Sequence, residues 1–176
     1  IALVARDGTP RIGVVFDPVT ATLYHAVQRK GARKNGNPWS ITPPLPDAPL
    51  TLMIDHSFIA KTNDPTFRKQ LENIAAKFGH QGTRFIDHAG AVLNACWVAE
   101  HAPALYFKSP KPQTGGGSLW DFAATTCLFD ELGFPASDIH GHPLKLNPQN
   151  GTFMNQHGVL FGSHPALASA AADLGR

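Results

Sequence analysis

A proline-rich stretch does most to limit how this chain can fold. Pro38, Pro43, Pro44, Pro46 and Pro49 crowd one short span. Each lacks a backbone N–H and fixes its own φ, which disfavours helix interiors and sheet ladders alike. The span Gly31–Pro49, basic at first and then proline-heavy, therefore reads as a surface connection without regular structure. It divides the chain into residues 1–45 and 46–176.

The first part has strand character. IALVA (1–5) and RIGVVF (11–16) flank Arg6–Pro10, whose Asp7-Gly8 pair is a strong hairpin signal. A third run, Leu23–Val27, follows the turn Asp17-Pro18-Val19-Thr20 and alternates apolar and polar positions. Together they predict an antiparallel meander. The second part alternates strands with helices. Leu50–Ile54 is nearly all apolar, as in a strand covered on both faces. Between Pro65 and Phe78, the residues Phe67, Leu71, Ile74, Ala75 and Phe78 form a helical stripe, with Asp64 as N-cap and Gly79 as stop. Thr83–Ile86 and Ala104–Lys108 read as strands and Ala89–Glu100 as a helix. Ser118–Leu132 opens on the capping signature Ser-x-x-Asp and closes at Gly133. A strand at 136–139, a turn at Gly141, a strand at 159–161 and a helix from Pro165 complete the pattern. The expected class is α/β of the layered α+β type: an antiparallel meander, then a smaller mixed sheet flanked by helices.

Composition removes several classes of function. The 176 residues are 43% hydrophobic, enough for a real core, and 16% charged with a formal net charge of +2. That balance gives no electrostatic basis for binding a nucleic acid polymer or an anionic membrane. No apolar run approaches the roughly 20 residues that cross a bilayer. The two cysteines, Cys96 and Cys127, sit in apolar helical patterns and fit a reducing, cytoplasmic setting. The start, Ile1-Ala2-Leu3-Val4, has no Met and no basic flank of a secretory signal, and reads as a strand entered midway.

Sequence signatures of phosphate loops, zinc proteases, serine hydrolases and Cys-x-x-Cys redox sites do not occur. Weaker features remain. Asp121 follows Gly115-Gly116-Gly117-Ser118 at a helix start, where a carboxylate either caps the helix or holds a divalent cation that bridges to a phosphate. Lys108, Lys111 and Gln113 precede the glycines and offer either a cationic rim for an anion or a solvated loop. Asp55-His56-Ser57 ends a parallel-type strand, the edge at which open α/β sheets place ligand crevices. His140-Gly141-His142 reads as a hairpin tip and not as a zinc site, for want of further ligands at metal spacing. Asp87-His88 with Ser57 or Ser118 makes no triad, because no serine sits in a strained elbow.

Three segments carry a resemblance. Gly13–Thr20 with Leu23–Ala26 and Lys30–Ala32, Gly90–Glu100, and above all Trp120-Asp121-Phe122-Ala123-Ala124 resemble the inositol monophosphatase superfamily in order and spacing, over nearly the whole chain. Asp55-His56-Ser57 stands where the 3'(2'),5'-bisphosphate nucleotidase branch often has a Ser-x-Ser-His element. The resemblance implies the sugar-phosphatase fold and hydrolysis of a small phosphorylated metabolite, with two or three Mg2+ ions, lithium sensitivity and a water activated for in-line attack. It further implies that Asp121 is the catalytic, metal-ligating carboxylate, and that His56, Gly90, Ala91 and Lys108 belong to the substrate wall.

Departures accompany it. The family's Glu-Glu pair and Asp-Pro-x-Asp-Gly-Thr element are absent, and Asp17-Pro18-Val19-Thr20 lacks the second Asp and the Gly. These normally precede the strand that here begins at Ile1, so the chain is expected to be the C-terminal portion of the enzyme and inactive alone, since hard cations need several oxygen ligands. Lys108 replaces a glutamate that contacts sugar hydroxyls, which disfavours inositol and keeps a bisphosphorylated nucleotide in play. A chain without its other half would expose strand edges, and is expected either to self-associate as a homo-oligomer or to be unstable. The alternative function is a non-catalytic α/β module binding a phosphorylated ligand or a partner chain.

Overall fold

The computed structural model describes residues 1–41, 43–45, 47–172 and 174; Pro46 of the proline-rich stretch lies outside them. Strands β1 (Ala2–Val4), β2 (Pro10–Asp17) and β3 (Thr22–Val27) pair antiparallel. The β1–β2 turn closes as its Asp-Gly pair predicts: Gly8 N–H donates to Ala5 O at 2.9 Å, and the Asp7 carboxylate accepts from Thr9 N–H at 2.9 Å. At the next turn Asp17 accepts from Val19 N–H at 3.0 Å and from the Thr20 hydroxyl at 2.6 Å.

The span 31–49 is not wholly irregular, which corrects the sequence reading. It contributes β4 (Ala32–Lys34) and β5 (Asn37–Pro38), so the sheet runs β1-β2-β3-β4-β5. Asn35-Gly36 turns between them with φ +50° and +81°, the two positive values that a tight two-residue hairpin requires. Pro38 lies on the outermost strand, where a missing N–H is tolerated.

The second sheet contains β6 (Leu50–Met53), β7 (Thr83–Ile86), β8 (Ala104–Lys108), β9 (Ala136–Ser137) and β10 (Val159–Gly162) in the order β7-β6-β8-β10-β9. β6 runs parallel to β7 and β8, whereas β10 is antiparallel to β8 and β9. The sheet is mixed, and it matches the first in strand number where a smaller one was expected.

Among the described residues, four α-helices complete the fold: α1 (Pro65–Lys77), α2 (Ala91–Glu100), α3 (Leu119–Leu132) and α4 (Pro165–Ala171). A 3-10 segment, His56–Asn63, precedes α1 without having been anticipated. The Asp64 side chain caps α1 by accepting from Thr66 N–H at 2.9 Å, and Gly133 ends α3 at φ +74°.

The layers alternate. Val15, Tyr24 and Ala26 of the first sheet pack on Cys96 of α2 and on Ala124, Cys127 and Leu128 of α3. The opposite faces of those helices pack on Met53, Tyr106 and Phe161 of the second sheet. Beyond that sheet, Leu50, Leu52 and Leu105 meet Phe67 and Leu71 of α1 and Leu167 of α4. Because α2 and α3 are covered on both sides, their sequences are apolar nearly all round, and neither cysteine needs a reactive role. β2 approaches α3 so closely that a Cβ on Gly13 would lie 2.2 Å from the Ala124 carbonyl oxygen.

Candidate active site

Parallel pairing of β6 with β8 brings the segments after Met53 and Tyr106 side by side, so Asp55 and Lys108 meet. Asp55 sits at the centre of a polar node. Its Oδ1 accepts from Asn94 Nδ2 and from the Tyr106 hydroxyl, each at 3.1 Å, and its Oδ2 pairs with the Lys108 ammonium. Asn94 Nδ2 also faces the Ile54 carbonyl, at 3.3 Å, which ties the first turn of α2 to the end of β6. Burial, then the Asp55 charge and its hydrogen bond, push the Tyr106 phenol far above its ordinary value; Asp121 adds to the same effect. The two carboxylates thus act on one phenol, which stays protonated and donates to Asp55.

Asp121 occupies the first turn of α3, half-buried. Its Oδ2 accepts from the Ser118 N–H at 2.8 Å, so the capping role is realised in full. The other oxygen has no hydrogen-bond donor among the described residues. Before it, Gly115, Gly116 and Gly117 adopt φ of +122°, +79° and +118°, values that L side chains rarely take. Packing reinforces the requirement: a Cβ on Gly117 would lie 2.7 Å from the Phe122 ring. The loop is laced to residues 152–155. Lys111 N–H donates to Asn155 O at 2.8 Å, Asn155 Nδ2 to Lys111 O at 2.9 Å, and Met154 N–H to Gly117 O at 3.1 Å.

A cavity of about 210 Å³ opens between these elements, lined by Asp55, Ser57, Lys108, Lys111, Gly116 and Asn155 among others. Of the residues singled out in the sequence, Asp55, Ser57, Lys108 and Lys111 line it; Asp121 is outside the lining and reaches the node through its charge on the Tyr106 phenol. His56 is exposed at the start of the 3-10 segment and outside that lining. Gly90 is the N-cap of α2 with open space where a Cβ would be, and Ala91 is the first helical residue. Asp138 engages the histidine hairpin, accepting from His140 N–H at 2.8 Å and His142 N–H at 2.9 Å.

Among the described residues, no three His, Cys, Asp or Glu side chains are grouped so as to hold a metal ion. A hard cation takes six or more oxygens, so these residues do not by themselves fit one. Two members of the node were missed in the sequence. Asn94 left a signal, a lone amide inside the apolar run AVLNACWVA, fully buried in the structure. Tyr106 left none, since a tyrosine in a strand is ordinary.

Helix pairs alternating with two sheets, and a carboxylate heading the helix sandwiched between them, define a layered α/β protein. The chain belongs to the inositol monophosphatase family, whose sequence model matches residues 1–174. It is 30% identical over 161 residues to the 3'(2'),5'-bisphosphate nucleotidase CysQ of Escherichia coli K12, covering 88% of this chain and 56% of that protein. Over 153 residues it is 26% identical to inositol monophosphatase 1 of Solanum lycopersicum, covering 84% and 51%. The chain thus spans little more than half the length of these relatives. Solved structures share the fold. IMPase-II of Staphylococcus aureus bound to 2'AMP superposes with a TM-score of 0.63 at 21% identity, covering 98% of this chain and 58% of that one. An inositol monophosphatase of Zymomonas mobilis gives 0.66 at 18%, covering 98% and 60%.

Proposed function

We propose that the chain forms part of a Mg2+-dependent phosphomonoesterase acting on a small phosphorylated metabolite, of the inositol phosphate or 3'(2'),5'-bisphosphonucleotide type. The observation that carries this reading is Asp121, which heads α3 with one carboxylate oxygen spoken for by Ser118 and the other uncommitted, directly after the glycine tract whose Gly115 and Gly116 line a cavity shared with two lysines. Membership of the family supports it, as does the nucleotidase activity in the name of the CysQ relative. In this reading Asp121 is the catalytic carboxylate and offers one oxygen to the metal. Lys108, the backbone at Gly90 and Ala91 where N–H groups head α2, and the exposed His56 form the substrate wall. The remaining metal ligands come from outside the described residues, and the 176 residues alone are inactive. Two buried cysteines without a disulfide support a cytoplasmic setting. Among the described residues, no helix is long and apolar enough to cross a membrane.

The test is release of inorganic phosphate by the complete protein from inositol monophosphate and from adenosine 3',5'-bisphosphate, with and without Mg2+. Activity that needs the ion and falls at least about a hundredfold in Asp121→Asn is the expected result. Activity indifferent to Mg2+ or to that substitution overturns the reading. A non-catalytic module that binds a phosphorylated ligand is the second reading, favoured by the lack of a metal-holding group among the described residues; ligand binding without turnover in the complete protein would select it.

A further inference from the structure

We propose that Asn94 is the positioning residue of this site: its side-chain amide locks Asp55, and through Asp55 the Lys108 ammonium, to the head of α2. The proposal rests on the phosphatase reading above and adds to it a residue too deeply buried to touch a ligand.

Asn94 brings nothing to α2 itself. It is a weak helix former, and an amide taken out of water must be hydrogen-bonded. Its Nδ2 lies 3.1 Å from Asp55 Oδ1, 3.3 Å from the Ile54 carbonyl oxygen and 3.4 Å from the Ala89 carbonyl oxygen. Two N–H bonds thus serve three oxygens. That fixes the amide's orientation, because turned over it would set its own oxygen against the same three acceptors. Its Oδ1, buried, has no donor among the described residues. A buried oxygen left unpaired opposes folding, so an apolar residue of the same size would serve the helix better. What the amide gains lies outside α2.

The other partners of the Asp55 carboxylate, Tyr106 and Lys108, both belong to β8. Among the described residues, Asn94 is therefore its hydrogen-bonded link to α2, and the Ala89 contact carries that link to the residue before the N-cap Gly90. Asp55 and Lys108 line the cavity of about 210 Å³. An ammonium has three N–H donors, and the one spent on Asp55 leaves two for oxygens of a ligand. Where those two point depends on where Asp55 holds the nitrogen. Lys108 and the backbone at Gly90 and Ala91 stand in the substrate wall and not at the reacting phosphoryl group. Contacts of that kind are made alike by bound substrate and transition state, so disturbing them raises KM and leaves kcat.

The test is steady-state release of inorganic phosphate by the complete protein with Mg2+, from whichever of inositol monophosphate and adenosine 3',5'-bisphosphate the wild type hydrolyses. Asn94→Leu, Asp55→Ala and the double variant are compared. Asn94→Leu keeps the volume and removes the donor; Asn94→Ser, too short to reach Asp55, takes its place if the leucine variant does not fold. Asn94→Leu should raise KM about tenfold, the loss of one hydrogen bond to a charged group, with kcat within about twofold. The double variant should be no worse than Asp55→Ala, because Asn94 acts through Asp55. An unchanged KM, a fall in kcat at constant KM, or effects that multiply in the double variant overturns the proposal. Amide exchange gives a readout that needs no turnover. In Asn94→Leu the N–H groups of Ile54 and Phe58, which donate to Ile86 O at 2.9 Å and Asp55 O at 2.8 Å, should exchange faster while that of Val14 in β2 keeps its protection. Unchanged exchange at Ile54 and Phe58 overturns the proposal as well. Failure of the phosphatase reading looks different: the wild type releases no phosphate with Mg2+ from either probe, and the exchange comparison alone then decides the role of Asn94.

Discussion

Gly158 holds the end of β8 against the loop before β10, and its replacement by alanine tests how tightly that corner of the site is built. Its φ is +65°, and a Cβ there would lie 2.4 Å from the Lys108 carbonyl oxygen, 2.8 Å from Ile139 Cγ2 and 3.1 Å from Pro110 Cδ. Two costs add. Left-handed backbone costs a non-glycine residue about 1–2 kcal/mol. Forcing a methyl into occupied space costs about 1–3 kcal/mol more, since the nearest atom is backbone and cannot swing aside. Gly141→Ala separates the two, because Gly141 has φ +83° but nothing within 4 Å of its Cβ position. It therefore bears the backbone cost alone. Urea midpoints of the complete protein, followed by tryptophan fluorescence at one unfolding slope, give both values. Gly158→Ala should be the less stable by about 1–3 kcal/mol, roughly 2–12 °C in Tm for a chain of this size. Because Val159 pairs with Lys108 across the ladder, the same variant should loosen the Asp55–Lys108 corner and weaken anion binding. Equal destabilisation by the two variants would refute the close packing of this corner.

Two further outcomes follow from hydrogen bonds distant in sequence or shifted in pH. Burial pushes the Asp138 carboxyl up, but the N–H groups of His142 and His140 and the His142 ring outweigh it and hold it below the ordinary carboxylate value. A depressed folded-state value means stability that is present above the unfolded value, near pH 4, and is lost as pH falls through the folded one. Asp138→Asn should therefore lower the urea midpoint by a constant amount at pH 5–7, with the gap to wild type closing below about pH 4; a gap that widens in acid contradicts the assignment. Glu131 of α3 accepts from the N–H groups of Arg29 and Gly31 at 2.6 and 2.7 Å, fastening the β3–β4 turn. Glu131→Ala should cost about 1 kcal/mol and speed amide exchange at those two residues, while amides of β6 keep their protection.

Much of the fold was legible because its signals are local. Asp7-Gly8, Asp64-Pro65, Ser118-x-x-Asp121 and Gly133 each act within one turn of chain, and the elements they bound stand where the sequence placed them. The hairpin β4–β5 was hidden by its prolines although Asn35-Gly36 announced it; a single left-handed pair outweighed the composition around it. Asp121 was legible as a capping residue, since that role depends only on its place in a helix's first turn.

Pairing across the sheet was not legible. Nothing within any short window of sequence says that Asp55 will share its carboxylate among Asn94 of α2 and Tyr106 and Lys108 of β8. The chain alone determined its turns, helix ends and apolar stripes, because these rest on interactions between near neighbours. The parallel alignment of β6 with β8 decided which charges meet. It turned Lys108 from an apparent anion receptor into half of an ion pair, because a charge is defined by its spatial neighbours and only long-range packing selects them.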